Sequence, residues 1–232
     1  MKKTFPEILY EDNHVIIVNK RVSDIVQGDR TGDEPLDDIV RAYIKEKYNK
    51  PGDVFLGVVH RLDRPVSGCV VYARTSKALS RMTELFRTRD VKKTYWAIVT
   101  ERPPAEEGTL NHFLKKNEKQ NKSYVYDKEV KGSKAAELSY IVIGRSERYY
   151  LLEVDLHTGR HHQIRAQLAA AGCPIRGDLK YGSQRSNEGG GISLHARRIS
   201  FTHPVKMEEV SVVAPLPKDK LWNLFSGIAK SL

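Results

Sequence analysis

The chain is 232 residues long, 40% hydrophobic and 29% charged, with eleven tyrosines, six phenylalanines and two tryptophans; that much apolar surface offsets chain entropy and excludes a disordered polypeptide. Lys and Arg number 39 against 29 Asp and Glu, a formal charge of +10, which points to a nucleic acid or another acidic polymer as partner. The longest stretch without charge or histidine, 166–175, is about half the length of a membrane span, no basic segment has the broad apolar face of a surface helix, and the start lacks an apolar signal stretch, so the expectation is a cytoplasmic protein with no membrane partner.

Read in chain order, the first elements are two short β-prone runs, 8–10 and 15–18, around the turn-forming Glu11-Asp12-Asn13, a hairpin pattern. Leu36, Ile39, Val40 and Ile44 lie at helical spacing between Pro35 and the Pro51-Gly52 stop, predicting a helix over 35–49. The run 55–63 reads as a buried strand, Ser67-Gly68 as a turn into a second strand over 67–74, and 76–90 as a helix capped by Ser76. Strands are then expected over 92–100 and near 109–114, 122–126, 135–144 and 149–156, the last running into a helix capped by Thr158 and stopped by Gly172. A polar connection over 182–191 is expected to be mobile; strands near 192–201 and 208–215 and a closing helix over 218–232 complete the chain. Strands in hairpin-like succession with few intervening helices predict an α+β fold around a largely antiparallel sheet flanked by helices and loops, in a single domain over 1–232. Cys69 and Cys173, far apart and in apolar surroundings, read as reduced core cysteines.

Three stretches carry candidate chemistry. In His60-Arg61-Leu62-Asp63-Arg64 a carboxylate sits between two arginines, inside a segment, 60–93, that holds nine Lys and Arg against three acids. A neighbouring arginine keeps an aspartate ionised, so Asp63 suits a nucleophile or an electrostatic partner rather than a general acid; the alternative is a turn aspartate bonded to local amides. In His157-Thr158-Gly159-Arg160-His161-His162-Gln163-Ile164-Arg165, a strand-to-helix junction offers helix-start amides, with Arg160 and Arg165 expected on successive turns, a pattern that favours phosphate or a carboxylate such as Asp63. The histidines there argue weakly for a metal, since no acid or cysteine joins them and His161 and His162 are expected to diverge on the helix. Strand alternation places Tyr95 on one face with Lys93 and Ala97 and turns Trp96 the other way, leaving Tyr95 either to stack on a base or to pack in the core.

Taken together, "ILYEDNHVIIVNK", "HRLDRPVSGCVVYARTSKA", "KTYWAIV", "LEVDLHTGRHHQIRAQLAAAGCPIRGDLKYG" and "ISLHARRISFTHP" resemble the RluA-like family of RNA pseudouridine synthases over nearly the whole chain. The HRLD and HQIR motifs, in that order, are the specific part of the match. The resemblance implies the pseudouridine synthase catalytic fold and isomerisation of uridine to pseudouridine within structured ribosomal or transfer RNA, without cofactor or metal and with no protein partner implied. It makes Asp63 the catalytic carboxylate, Tyr95 the aromatic against the target base and Arg165 the partner of Asp63. It has Arg61 entering the space left by the flipped nucleotide and adds His60, Arg64, Arg160, His162, Gln163 and Leu194 as substrate-binding positions. The chain departs from the family where many relatives read NKPAG: here the residues are Asn19-Lys20-Arg21-Val22-Ser23. The S4-type RNA-binding module that precedes the catalytic domain in some relatives is expected to be absent. A non-catalytic RNA-binding protein on the same fold is the competing reading.

Overall fold

The hairpin expected at the front forms from β1 (Glu7–Glu11) and β2 (Val15–Lys20), paired antiparallel. Asp12 fastens its turn by accepting hydrogen bonds from the backbone N–H groups of His14 and Val15 at 2.8 and 2.9 Å. Helix α1 (Leu36–Lys47) follows, burying Leu36, Val40 and Ile44 along one stripe, with Asp37 and Asp38 in its first turn and Lys45 and Lys47 in its last, as the helix dipole favours.

The buried strand expected over 55–63 shrinks to β3 (Gly57–Val58). The shortening has a local cause. After Val58, the ring Nε2 of His60 accepts the Val71 N–H at 3.1 Å where a strand carbonyl would have continued the ladder. β4 (Ser67–Ala73) is buried at every position, pairs with β2 from Val15↔Ala73 to Lys20↔Gly68, and includes the Ser67-Gly68 pair expected to be a turn. Gly68 is required there: its φ of +113° suits a residue without Cβ, and a Cβ would lie 2.3 Å from the carbonyl oxygen of Ala196. α2 (Ser76–Thr88) is capped by Thr75 rather than Ser76, the Thr75 hydroxyl accepting from Ala78 N at 3.1 Å, and it ends at a left-handed Arg89.

The computed structural model describes residues 5–29 and 31–230 and resolves into two compact units, Met1–Val91 with Ala196–Pro215 and Lys92–His195 with Leu216–Leu232. The second unit opens with β5 (Lys92–Val99) and continues through β6 (Glu107–Asn117), β7 (Lys122–Tyr126), β8 (Lys134–Arg145) and β9 (Tyr150–Leu156), which lie in the order β5-β9-β8-β6-β7 with antiparallel neighbours. One face carries Trp96, Ile98 and Leu151 against Trp222 and Phe225, while Leu114 and Ala136 on the other pack against Ala166 and Tyr181. α3 (Gln163–Ala170) supplies Ala166.

β10 (Leu194–Thr202) starts in the second unit and carries the chain back to the first, where it lies beside β4 and pairs with β11 (Glu209–Val213) from Arg198↔Val213 to Thr202↔Glu209. Val15, Ile17, Cys69 and Val71 meet Met82 of α2 and Ile199, Phe201, Val210 and Val212 in one apolar cluster. The closing helix expected over 218–232 is only α4 (Lys220–Asn223) and a 3-10 turn at Ile228–Lys230 among the described residues. Asp219 caps α4 by accepting from Leu221 N and Trp222 N. Cys69 and Cys173 are free and buried, and burial pushes their thiols up to about 12 and about 11. The architecture is α+β, with few helices around antiparallel strands.

Candidate active site

In the first unit, Asp63 sits half-buried in the connection between β3 and β4, where its carbonyl accepts from Val66 N at 3.0 Å and closes the turn. The loop is fastened from beneath by a side chain the sequence reading passed over. Lys20 is fully buried, and its ammonium donates to the carbonyls of Arg21 and Arg64 at 3.0 Å and of Val66 at 2.6 Å. Two of those three carbonyls belong to the Asp63 loop, and Ser23 N donates to the Arg64 carbonyl as well. Burial pushes the Lys20 ammonium down to about 8, with Asp24 and Asp63 pulling the other way. Its position carried the signal: Lys20 ends β2, whose first four residues are all apolar and buried.

The other residues of that motif do different work. His60 accepts the Val71 N–H and stacks on Phe86 at 4.8 Å, which ties the loop to β4 and α2. Arg64 bridges to Asp33 at 2.7 Å, and Arg61 is exposed.

In the second unit, Tyr95 lies on β5 opposite Val154 and is 8% exposed, while Trp96 points to the other face and donates its indole N–H to Glu153 at 3.0 Å, the alternation the sequence predicts. Leu194 is buried at the start of β10, directly after Ser193, whose carbonyl accepts from Ile98 N of β5.

The HTGRHHQIR stretch differs from its expected geometry in two ways. Helix α3 starts at Gln163, after His162 in the left-handed region at φ 54°, so Arg160 precedes the helix and does not share successive turns with Arg165. Thr158 does not cap it; the turn is sutured by the Gln163 amide, whose oxygen accepts from the Thr158 hydroxyl at 2.7 Å and from Arg160 N at 2.9 Å while its nitrogen donates to the Glu137 carbonyl at 3.0 Å. Arg160 Nε donates to the Ala135 carbonyl, anchoring the same turn to β8. His161 and His162, expected to diverge, stack at 3.8 Å, because neither lies within the helix. His162 is buried and bonded through Nδ1 to the Tyr181 hydroxyl at 2.9 Å; burial first, then the charges of Arg165, His161, Lys180 and Lys116, push it down to about 2, so it is a neutral imidazole.

Arg165 is 5% exposed, and its Nε and Nη2 donate to the two carboxylate oxygens of Asp178 at 2.6 and 2.9 Å. The Tyr181 ring lies 5.1 Å from the guanidinium carbon. Asp178 and Tyr181 are the second feature missed: they lie at a single 3-10 turn, Leu179–Tyr181, inside a stretch quoted for the resemblance but too short for any period to mark them. The structure therefore gathers Gln163, Arg160, His162 and Arg165 around one sutured junction, and holds Asp63 on a loop built over a buried ammonium.

Residues 14–170 match the model of the RNA pseudouridylate synthase family. The chain is 33% identical over 227 residues to ribosomal large subunit pseudouridine synthase D of Xylella fastidiosa, covering 92% of this chain and 66% of that one. It is 31% identical to ribosomal large subunit pseudouridine synthase C of Vibrio parahaemolyticus, with 97% and 70% covered, and 31% identical to the uncharacterized RNA pseudouridine synthase YlyB of Bacillus subtilis, with 92% and 70% covered. Among solved structures, human RNA pseudouridylate synthase domain containing 4 superposes with a TM-score of 0.78 at 24% identity over 91% of this chain and 89% of that one, a likeness of fold.

Proposed function

The chain belongs to the RNA pseudouridylate synthase family, in its RluA-like branch, and on that premise we propose that it isomerises uridine to pseudouridine in structured ribosomal or transfer RNA, with Asp63 as the reacting carboxylate. The observation that carries the reading is the Asp63 loop. A carboxylate that must meet a ribose within a polyanion needs a backbone that does not yield, and Lys20 fixes that backbone through the Arg64 and Val66 carbonyls.

In the reaction the bond from ribose C1′ to uracil N1 breaks, the base turns, and C1′ joins C5; the hydrogen on C5 leaves to solvent and N1 gains a proton. Atoms and electrons balance without an oxidant or cofactor. Attack by the carboxylate at C1′ and formation of a glycal both require Asp63 ionised against the sugar. Tyr95 is the surface on which the base turns, and Arg165 is the catalytic cation. Arg61 enters the stack where the nucleotide has left, which offsets the few kcal/mol that base extraction costs. His60, Arg64, Arg160, His162, Gln163 and Leu194 shape the binding surface, several through the loops they hold. The chain acts as one catalytic domain working on RNA in the cytoplasm, with the +10 charge drawing the substrate in.

The test is tritium release from RNA labelled at uridine C5. Wild-type protein releases label, and Asp63→Asn releases none while retaining RNA affinity. Turnover in the Asp63→Asn protein defeats the assignment.

A further inference from the structure

Arg165 is immobilised more completely than an arginine that merely contributes charge to an RNA surface. One carboxylate takes both Nε and Nη2, which stops rotation about the bond from Cδ to Nε, and the Tyr181 ring closes one face of the guanidinium at 5.1 Å. Asp178 is itself 1% exposed. Its own turn is fixed by backbone bonds: Asp178 N donates to the Ile175 carbonyl, and Tyr181 N and Ser183 N donate to the Asp178 carbonyl, all at 3.0 Å. That turn hangs from β5, since Arg176 N donates to the Ile98 carbonyl and Ile175 bridges to Val99. The Tyr181 hydroxyl accepts from Ser123 N at 2.8 Å and meets His162 Nδ1, tying the same turn to β7 and to the start of α3.

We propose that Asp178, backed by Tyr181, is a positioning residue that sets the plane and direction of the Arg165 guanidinium for catalysis. The inference rests on the reading of Arg165 as the catalytic cation. With Nε and Nη2 clamped, the Nη1 side of the fork is presented away from Asp178 in one fixed direction. The clamp is suspended from the strand that carries Tyr95, so the stacking aromatic and the cation are registered to one element rather than to two that drift independently. An acceptor pair of the right charge and spacing is what this requires; a neutral amide keeps the shape but offers one acceptor and a donor that opposes the guanidinium.

The test measures tritium release from C5-labelled RNA extracted from cells lacking this protein, together with KM and thermal unfolding. The proteins compared are wild type, Asp63→Asn, Arg165→Lys, Asp178→Asn, Asp178→Glu and the Arg165→Lys/Asp178→Asn double variant. Asp178→Asn is expected to lower kcat on the order of 10²-fold, the cost of misplacing a reacting group by about 1 Å, with KM unchanged. The double variant is expected to be no slower than Arg165→Lys alone, because the fork that Asp178 aligns is already gone. Should Asp178→Asn fail to fold, Asp178→Glu keeps the charge and shifts the carboxylate by one methylene, and its kcat is expected to fall with KM again unchanged. Wild-type kcat in either folded Asp178 variant overturns the inference, as does a double variant whose loss is the product of the two single losses. Full activity in Arg165→Lys with an inactive Asp63→Asn also overturns it while leaving the Asp63 reading intact; activity in Asp63→Asn removes that reading itself.

Discussion

The Asp63 loop and the Arg165 junction solve the same problem with opposite means. In the first unit Asp63 stands on irregular backbone, and it is the backbone that is gripped: a buried ammonium takes the carbonyls of Arg64 and Val66, and His60 takes a β4 N–H. In the second unit Arg165 already stands on a helix, and it is the side chain that is gripped, by Asp178 and Tyr181. The difference teaches that rigidity is added where local structure fails to supply it. A turn has free main-chain torsions to remove, whereas an arginine on a helix has only its long side chain to immobilise.

The comparison breaks most sharply at the Asp63 carboxylate. Asp63→Asn is expected to reduce single-turnover tritium release by about 10⁴-fold, the scale seen when an active-site aspartate is replaced by its amide, with RNA binding in a filter assay unchanged. Comparable loss of binding would show that Asp63 serves the fold rather than the reaction.

Next in size is the base of the same loop. Gly68→Ala places a Cβ against backbone at Ala196 and forces a strained φ, so a loss of roughly 3 kcal/mol or more is expected, read as insoluble protein or a sharply lowered unfolding midpoint. A soluble protein with wild-type midpoint would mean that β4 and β10 can separate at little cost.

Lys20→Met then separates the two strategies directly. Losing the ammonium leaves carbonyls of the loop without their donor, at about 1–3 kcal/mol for each buried acceptor so exposed. Turnover is expected to fall with it. Because the Lys20 ammonium lies near 8 when folded and near 10.5 when unfolded, the unfolded chain binds more protons between those values. This group therefore costs stability below pH 8 and relieves that cost as pH rises toward 10.5. Its neutral amine has two N–H donors for three carbonyls, so wild-type kcat is expected to decline as pH rises through about 8 while the unfolding midpoint does not fall on its account. If the Lys20→Met protein shows the same decline in kcat, the limb belongs to another group.

The smallest effect sharpens the other side. His162 lies near 2 when folded against 6.5 unfolded, so the unfolded chain binds more protons below 6.5 and stability falls as pH drops through that range. His162→Gln is expected to flatten the unfolding midpoint between pH 6.5 and 4, followed by scanning calorimetry. An unchanged slope would assign the acid sensitivity elsewhere.

Much of this was legible in sequence because it is periodic. Alternation placed Tyr95 and Trp96 on opposite faces of β5, and helical spacing found the Leu36, Val40, Ile44 stripe. The motifs singled out Asp63 and Arg165 as candidates by residue type and spacing alone. Other positions were not legible, since they depend on which distant chains arrive. Lys20 showed only as a lysine closing an apolar strand, and Asp178 as one acid before a single 3-10 turn. The start of α3 was misplaced because the left-handed His162 is stabilised by Tyr181, nineteen residues away in sequence, which no local propensity records.

The order and type of the main strands, the α+β class, the basic charge and the family of the site were determined by sequence alone, because local patterning and motif spacing encode them. Tertiary structure alone decided which side chains hold the Asp63 loop and the Arg165 guanidinium. Buried charges take whatever partner the fold brings within about 3 Å, and that proximity is written in no single segment of the chain.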